Sequence, residues 1–444
     1  MCELKLRNLE LTSTMGSGGI MTTFISAFVA DFNLVLAMLF AVLYSYRILY
    51  FLVAFKAKRY KYSQSQHIPL CRYAVIIPAR NEERVIGLLI QSINAQHYPR
   101  ELIDVFVVAD NCTDNTAQVA KQAGAIVRER FNKAQVGKGY ALDFMLKFIE
   151  QNYASNAYEG YFVFDADNLL DEDYIFEMNK TLNQGYRVVT SYRNSKNYDQ
   201  NWITAGYGLW FIHEAEYINL PRMFLHTSCA ISGTGFLVHA DVLRENGGWV
   251  HHLLTEDIEF SVSQILKGEK IGYCRKAVFY DEQPITFAQS WNQRLRWVKG
   301  FYQVFNQYGK GLFRGMIYGK NSFSCFDITM TIMPAVLISW VSLIWNGGLS
   351  IALLLGAKQT LDVHPAKEFI SVLGSYGLFF GVGLMTTITE WNKIICTNQK
   401  KIFYMFTFPL FMFTYLPISI VALFKKIEWK PIAHTVVKSI DDIR

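Results

Sequence analysis

The sequence predicts an α/β domain built on a parallel sheet and flanked by membrane-spanning helices. Between Tyr73 and about Asp281, apolar strand-like runs alternate with helix-like segments, and no run in this region has membrane length. Apolar stretches of membrane length lie on both sides of it. The composition also indicates membrane-spanning segments, because 51% hydrophobic and 15% aromatic residues with a mean hydropathy of +0.14 are high values for a soluble protein.

The first apolar stretch, roughly Phe32 to Phe55, is long enough for a bilayer core, which takes about 20 residues. It continues into four basic residues rather than a small-residue cleavage site, so we interpret it as a signal anchor and not as a cleaved signal peptide. These residues are Lys56, Lys58, Arg59 and Lys61. Their charge predicts that this end of the anchor faces the cytoplasm.

Three further spans are predicted near Thr329 to Leu354, Phe369 to Ile388 and Ile402 to Leu423. Three crossings from a cytoplasmic domain would leave a basic tail outside, against the positive-inside tendency. Either the tail breaks this rule or one stretch does not cross. Pro409 and Pro417 make the last stretch the candidate for a kinked or re-entrant element.

The predicted organisation has six parts. They are an N-terminal segment (1–30), a transmembrane anchor (31–56), the α/β domain (70–283), a Trp- and Arg-rich interfacial segment (284–325), a membrane region (326–424) and a short cytosolic tail (425–444).

The charge, the cysteine content and the missing motifs argue against several functional classes of protein. The net charge of +6 is not gathered into long basic runs, which favours a membrane surface or anionic nucleotides, and we expect no nucleic-acid partner. Seven scattered cysteines without a CxxC pair predict reduced thiols and no structural zinc. The dinucleotide fingerprint G-x-G-x-x-G and the P-loop motif are absent, which disfavours dinucleotide and P-loop chemistry.

Polar residues follow three of the strand-like runs, at the sheet edge where open parallel sheets bind ligands. The predicted strands are Tyr73–Pro78, Val105–Asp110, Ala125–Arg128, Tyr161–Asp165 and Arg187–Tyr192. The residues that follow are Pro78, Arg80 and Glu82 after the first strand, Asp110 at the end of the second, and Asp165 and Asp167 after the fourth. Helix capping explains each of them equally well when taken singly. The pair of aspartates is more specific, because two carboxylates on one side of an extended tripeptide can share a divalent cation.

Lys138 stands between two glycines and could reach a uracil or a phosphate, with an exposed turn as an equal alternative. Glu256 and Asp257 are adjacent carboxylates, and one of them could accept the proton of an attacking hydroxyl. An acidic helix N-terminus fits this pair equally well.

Three residues of a predicted helix, Gln293, Arg296 and Trp297, lie on one side of it. An arginine there could grip a diphosphate, and an indole could form a flat platform for a sugar ring. A membrane anchor of Trp and Arg is the alternative.

Taken in order, these signatures resemble the processive family 2 glycosyltransferases, which include bacterial cellulose synthase, hyaluronan synthase, chitin synthase and poly-N-acetylglucosamine synthase. The family pattern is D, DxD, TED and QxxRW. This chain has Asp110, Asp165 with Asp167, Thr255-Glu256-Asp257, and Gln293 with Arg296 and Trp297. The resemblance spans roughly Tyr73 to Tyr308, and Ser232 to Gly235 resembles the family's acceptor-side loop.

The resemblance implies a cytosolic GT-A (Rossmann-like) domain inserted between transmembrane helices, and an inverting single displacement. It implies that Asp110 binds uridine, that Asp165 and Asp167 hold the nucleotide and Mg²⁺ or Mn²⁺, and that Asp257 is the general base. Gln293, Arg296 and Trp297 would bind the diphosphate and the acceptor at the mouth of a channel.

The implied partners are a UDP-sugar donor, with UDP-glucose and UDP-N-acetylglucosamine as candidates, a growing polysaccharide acceptor and membrane lipids. The implied location is the plasma membrane, with several crossings. The predicted spans are fewer than in cellulose synthase, so a complete conduit would need an accessory subunit or a second copy of the chain. Two rivals remain open: transfer of one sugar to a polyprenyl phosphate, and a non-catalytic membrane conduit.

Overall fold

The computed structural model describes residues 17–59, 68–333, 340–342, 344–346, 365–427 and 434–443. The chain divides into two compact units. One comprises Met1–Leu49 and Met333–Leu373, and the other comprises Tyr50–Ile332 and Gly374–Arg444. Most of the predicted span from Thr329 to Leu354 lies outside the described residues.

The elements are numbered in chain order. The helices include α1 (Ser17–Tyr44), α2 (Tyr46–Arg59), α3 (Ile86–Asn94), α4 (Thr116–Gln122), α5 (Lys138–Asn152), α6 (Tyr174–Leu182), α7 (Trp202–His213), α8 (Leu220–Phe224), α9 (Ala240–Asn246), α10 (Glu256–Lys267), α11 (Phe287–Tyr318), α12 (Ser322–Ile332), α13 (Pro365–Thr389), α14 (Asn398–Phe413) and α15 (Tyr415–Phe424). The strands are β1 (Tyr73–Ala79), β2 (Ile103–Asp110), β3 (Ile126–Arg130), β4 (Gly160–Val163), β5 (Leu169–Leu170), β6 (Val188–Ser195), β7 (Phe236–His239) and β8 (Ile271–Asp281). A π-helix, Glu214–Asn219, joins α7 to α8.

In the smaller unit, Asn33 of the mostly apolar helix α1 forms a pair with Asn346. Asn33 Nδ2 donates to Asn346 Oδ1 at 2.9 Å, and Asn346 Nδ2 donates back to Asn33 Oδ1 at 3.0 Å. Each amide thereby satisfies the other, which removes most of the cost of placing polar groups among apolar ones.

Two segments of the described chain, Asp31–Arg59 and Asn398–Phe424, are long and apolar enough to cross a membrane. The first overlaps the predicted anchor and the second overlaps the predicted last span. The apolar part of α13, Leu373–Thr389, is a shorter helix.

The sheet of the larger unit has the strand order β3-β2-β1-β4-β7-β6-β8-β5. The pairs β1–β2, β2–β3 and β1–β4 are parallel, as predicted, and β6 is parallel to β8, a strand that the sequence did not reveal. The pairs β4–β7, β6–β7 and β5–β8 are antiparallel, so the sheet is mixed and the prediction of a parallel sheet was wrong. The sequence did not reveal β7 because this strand has only four residues and follows a glycine-rich loop.

Both faces of the sheet are covered, which explains the unbroken apolar runs in β1 and β2. Alternate residues of β1 enter two different cores: Ala74 and Ile76 pack on the side of α5, whereas Val75 and Ile77 pack on the side of α3. The apolar stripe of α3 is the one that the sequence predicted. It consists of Ile86, Leu89, Ile90 and Ile93.

The apolar segment Asn398–Phe424 is broken at Thr414, between the two prolines that predicted a kink. Arg294, which is fully buried in α11, bridges the break: its Nη1 donates to the Phe411 carbonyl oxygen at 3.2 Å and to Thr414 Oγ1 at 2.5 Å. Its guanidinium carbon lies 4.3 Å from the centre of the Phe411 ring. The Phe411 carbonyl oxygen also accepts from the Thr414 N–H at 3.3 Å and from Thr414 Oγ1 at 2.6 Å, so residues of both helices satisfy it at the break.

A buried carboxylate in the π-helix ties three distant parts of the larger unit together. Glu216 is fully buried, accepts from Arg275 Nε at 2.7 Å and Lys393 Nζ at 3.3 Å, and forms an ion pair with Lys58, whose Nζ lies 3.3 Å from Glu216 Oε2. These cations come from β8, from the loop after α13 and from α2. Because an unpaired buried charge is costly, the network fixes the position of the π-helix.

Two glycines of α11 differ in the space around them: Gly300 faces Thr255, just before α10, whereas Gly309 faces Phe305 of its own helix. A Cβ added at Gly300 would lie 2.9 Å from the Thr255 Cβ and still closer to both of its branch atoms, whereas the nearest atom at Gly309 is 3.5 Å away. We expect Gly300→Ala to lower stability by about 1–3 kcal/mol through overpacking. Gly309→Ala should gain up to about 1 kcal/mol from helix propensity. Thermal unfolding in detergent measures both, and a Gly300→Ala protein as stable as Gly309→Ala would contradict this packing.

Candidate active site

Lys138 and Asp165 form the first contact of the site. Asp165 follows β4, and Lys138 is the first residue of α5. The Lys138 Nζ contacts Asp165 Oδ1 at 2.5 Å and donates to the Gly233 carbonyl oxygen at 2.8 Å. The Lys138 side chain is 13% exposed, whereas that of Asp165 is 41% exposed. Lys138 is thus held by the site rather than free in an exposed turn, and Asp165 remains accessible to a ligand.

Asp167, the second carboxylate of the DxD signature, is engaged by the protein itself. Its Oδ2 accepts from the Glu282 N–H at 2.7 Å, and its Oδ1 accepts from Asn168 Nδ2 at 3.3 Å. Burial alone would raise the pKa of Asp167, but the charges of His434 and Lys196 and the Glu282 N–H hold it below its ordinary value. Asp167 therefore stays ionised although it is buried.

The two aspartates differ in their fitness for a metal ion. Mg²⁺ takes one or two protein carboxylates together with phosphate oxygens and waters. Asp165 fits this role through its exposed oxygens, whereas both oxygens of Asp167 are already bonded. Within the residues that the structure describes, no group of three or more His, Cys, Asp or Glu side chains is arranged as a metal site. A diphosphate would have to complete the coordination.

Glu256 and Asp257 begin α10, and Asp257 lies near the backbone N–H groups of Ile258 and Gly233; a Cβ added at Gly233 would be 3.9 Å from Asp257 Oδ2. Burial raises the pKa of Asp257, and Lys138 and these N–H groups oppose the rise. Burial, followed by the charge of Asp257, raises the pKa of Glu256 to about 8. The pair thus combines a group that keeps a proton near neutral pH with one that lies beside two backbone N–H groups.

The residues of the QxxRW signature lie on α11, beside these carboxylates. The charge of Arg296 acts on Glu256, Asp165 and Asp257. Trp297 packs edge-to-face against Tyr207, with 5.7 Å between ring centres and an angle of 89°. Gln293 Oε1 is buried and has no hydrogen-bond partner among the described residues, which is a feature expected of a group that binds a ligand.

Asp110 ends β2 and is paired with a residue that the sequence analysis missed. Arg130 Nη1 donates to Asp110 Oδ1 at 2.7 Å, and both side chains are buried. Burial raises the pKa of Asp110, and the charges of Arg130 and Arg80 oppose this rise. Arg130 is the last residue of β3, so applying the strand-end rule to that strand as well would have found it. Pro78 lies in register with Val108 of β2, one residue from the end of β1.

The segment His434–Ile443, predicted only as a tail, contacts two carboxylates, Glu82 and Glu282, which follow β1 and β8. His434 Nδ1 is 2.9 Å from Glu82 Oε1. The N–H groups of Thr435 and Val436 donate to the two oxygens of Glu282, at 2.9 and 3.1 Å. Burial alone would lower the pKa of His434, but Asp167, Glu82 and Glu282 together raise it to about 10. No local motif marks this contact, which joins residues 352 positions apart.

A second missed pair supports the loop between β6 and β7. Arg193 Nε donates to Asp281 Oδ2 at 2.7 Å, and Arg193 Nη1 donates to the Ser232 carbonyl oxygen at 3.1 Å. Asp281 ends β8, a strand that the sequence did not reveal. The structure thus brings the predicted residues to one edge of the sheet and adds a set of buried ion pairs beneath them. The roles assigned to these residues stay predictions.

Replacing Glu256 by Gln should change how stability depends on pH. Between its ordinary pKa of 4.5 and about 8, the folded protein holds a proton on Glu256 that the unfolded chain has released. The stability of the wild-type protein therefore falls as pH rises through this window, and Glu256→Gln should remove that part of the fall. Thermal unfolding from about pH 5 to about pH 8.5, without donor, measures it, with the exposed Glu150→Gln as control. A variant with the wild-type slope would contradict the assignment.

Comparison with known proteins identifies the family. Residues 70–300 match the family described as Glycosyltransferase like family 2. The beta-monoglucosyldiacylglycerol synthase of Synechocystis sp. is 25% identical over 251 residues, which cover 54% of this chain and 50% of that protein. The poly-beta-1,6-N-acetyl-D-glucosamine synthase of Staphylococcus epidermidis is 23% identical over 247 residues, 54% of this chain and 57% of that protein. The chain thus spans about half the length of these curated relatives.

Among solved structures, the mannosyltransferase PcManGT from Pyrobaculum calidifontis in complex with GDP-Man and Mn²⁺ matches with a TM-score of 0.54 and 15% identity. The match covers 88% of this chain and 98% of that chain. It supports the mixed α/β GT-A-like fold that the resemblance implied. Because the family match extends over just more than half of the sequence, the chain belongs to glycosyltransferase-like family 2.

Proposed function

We propose that the chain is an inverting glycosyltransferase that moves a hexose from a UDP-sugar to a saccharide acceptor at a membrane. One observation carries the proposal: the two faces of a single residue, Gly233, join the donor side to the base side. Its carbonyl oxygen accepts from Lys138, which also contacts Asp165, and a Cβ added at Gly233 would lie 3.9 Å from Asp257 Oδ2. A donor diphosphate at Asp165 and an attacking hydroxyl at Asp257 would then lie next to each other.

The donor would extend along the strand ends from Asp110 to Asp165. Asp110, held by Arg130, would accept from the uracil N–H, while Lys138, Arg296 and Gln293 would contact the diphosphate. A bound Mg²⁺ or Mn²⁺ would act as a Lewis acid that neutralises the leaving diphosphate. The names of the two curated relatives support a glucosyl or an N-acetylglucosaminyl donor.

Transfer would proceed in one displacement. The oxygen of the acceptor hydroxyl forms a bond to C1 of the donor sugar, its proton passes to the Asp257 carboxylate, and the bond from C1 to the diphosphate oxygen breaks. The electron pair leaves with UDP, and an α-linked donor becomes a β-linked product. Lys138 and the nearby N–H groups of Ile258 and Gly233 favour the ionised form of Asp257, which is the form that accepts the proton.

The larger proposal is a processive synthase whose domain lies on the cytoplasmic side between transmembrane helices and which threads its polymer across the plasma membrane. The contacts of α11 support an acceptor path beside an apolar segment: Lys299 Nζ donates to the Ala422 carbonyl oxygen at 3.0 Å, and Tyr302 Oη donates to the Ser419 carbonyl oxygen at 3.1 Å. Trp297 would stack on the acceptor sugar. A complete conduit would need an accessory subunit or a second copy of the chain.

Transfer of a single sugar to a lipid is the second candidate, favoured by the similarity to the diacylglycerol glycosyltransferase. Both candidates are tested by one experiment. The purified protein, in lipid nanodiscs that contain diacylglycerol and polyprenyl phosphate, is given a panel of UDP-sugars with Mg²⁺ or Mn²⁺. UDP release and product size are then measured. A ladder or a high polymer supports processive synthesis, one lipid-linked sugar supports the second candidate, and no UDP release with any donor overturns both.

Asp257→Asn should lower sugar transfer by at least about 100-fold, because it removes the proton acceptor without removing a donor contact. The affinity for UDP should change little. Steady-state UDP release and UDP binding by calorimetry measure the two effects. Asp241→Asn is a matched control, since Asp241 is also in the first turn of a helix but is 43% exposed and remote from the motifs. Transfer at the wild-type rate in Asp257→Asn would refute the assignment of the base.

Substitution of the two DxD aspartates should separate metal binding from stability. Asp165→Asn leaves the fold intact because the side chain is partly exposed, and it should raise the Mg²⁺ concentration for half-maximal UDP release by about 10-fold or more. Asp167→Asn should instead lower the unfolding temperature, because it removes the charge that His434 and Lys196 surround. Metal titrations and thermal unfolding of both variants measure this. Equal effects of both substitutions on unfolding would contradict the difference in burial.

A further inference from the structure

One face of α7 continues from the aromatic cluster around Trp297 to a carboxyl group. Tyr207, Phe211 and Glu214 are spaced i, i+4 and i+7, so they lie on the same face of the helix. Tyr207 and Phe211 pack against Trp297, with ring centres 5.7 and 6.3 Å apart. Glu214 therefore follows these aromatic rings along the same face.

Glu214 and Asp257 lie on either side of two consecutive residues of the acceptor-side loop. Ser232 Oγ donates to Glu214 Oε2 at 3.4 Å, and a Cβ added at the next residue, Gly233, would lie 3.9 Å from Asp257 Oδ2. The charge of Asp257 also acts on Glu214. The two carboxyl groups thus border the same short stretch of this loop.

The hydrogen-bonding capacity of Glu214 is largely unused by the protein. Within the described part of the chain, its bond to Ser232 is the one hydrogen bond of its side chain, and it is long. A carboxylate has about four acceptor positions. The nearby guanidinium groups of Arg193 and Arg222 are bonded to Asp281 and Asp327 instead.

The backbone around Glu214 is held in an uncommon conformation. Glu214 is the first residue of the π-helix, and π-helical turns are rare and frequently lie at functional sites. Two residues further on, the ion pairs of Glu216 fix the segment. Burial raises the pKa of Glu214, against the charges of Arg222 and Arg193. The acceptor positions of this carboxyl group suit a sugar hydroxyl that donates a hydrogen bond.

We propose that Glu214 is an acceptor-binding residue, whose carboxyl group bonds a hydroxyl of the saccharide that packs on Trp297 and Phe211 and holds the attacking hydroxyl near Asp257. The inference rests on the function proposed above and adds a residue that binds the acceptor. We assign no donor contact to Glu214, because its side-chain hydrogen bond is with Ser232, whereas Asp165 contacts Lys138 and Thr234.

The test separates the two half-reactions. The probe acceptor is the β-linked disaccharide of the sugar that the donor panel identifies. Glu214→Ala should raise the KM for this acceptor about 10-fold or more, while hydrolysis of the UDP-sugar without acceptor and the affinity for UDP stay at wild-type values. Glu214→Gln keeps the shape and the bond from Ser232, so its acceptor KM should lie between the two. Asp241→Ala, which removes an exposed carboxylate, is the control and should match the wild type.

An unchanged acceptor KM in Glu214→Ala would overturn the inference. Parallel losses in hydrolysis and transfer in both Glu214 variants would also overturn it, because they would mean a structural role. Failure of the proposed function itself is recognised separately, since in that case the wild-type protein would release no UDP with any donor.

Discussion

The position of Gly233 is the constraint on which the rest of the site depends. The Gly233 carbonyl oxygen accepts from Lys138, and a Cβ added at Gly233 would lie 3.9 Å from Asp257 Oδ2, so this residue lies between the Lys138–Asp165 pair and Asp257. Its φ of +77° lies in the left-handed region, where a side chain would be strained. Thr234 extends the link, because its Oγ1 accepts from the Asp165 N–H at 2.8 Å. A short loop thereby aligns elements that are far apart in the sequence.

Such a site requires many ionised groups in a buried place, and the fold provides partners for them. Arg130 pairs with Asp110, Arg193 with Asp281, and Lys196 lies 3.5 Å from Glu282. Because removing one member would leave the other charged and buried, each pair is costly to break and keeps its geometry. The side chain of Asp165 is 41% exposed and adjoins these buried ion pairs. A ligand that bound to Asp165 would therefore require little rearrangement of the protein.

Local pattern predicted the residues at the ends of apolar strands. Asp110 ends β2 and Asp165 follows β4, and both strands pair in parallel with β1, as the alternation with helices required. The rest of the site depends on contacts that no local pattern encodes. The short β7 makes the sheet mixed, and His434 reaches Glu82 across most of the chain. Both arise from tertiary packing, which sequence periodicity does not report.

Helix α11 carries both Trp297 and Arg294, so it connects the residues of the QxxRW signature to the apolar segment Asn398–Phe424. Arg294 bonds the break at Thr414, and three residues further along the same helix Trp297 packs on Tyr207. A rotation of α11 that moved Trp297 away from Tyr207 would also pull Arg294 from the break and remove its hydrogen bonds to Phe411 and Thr414. Trp297 therefore keeps its position relative to the apolar segment, which is what the proposed acceptor-binding role would require.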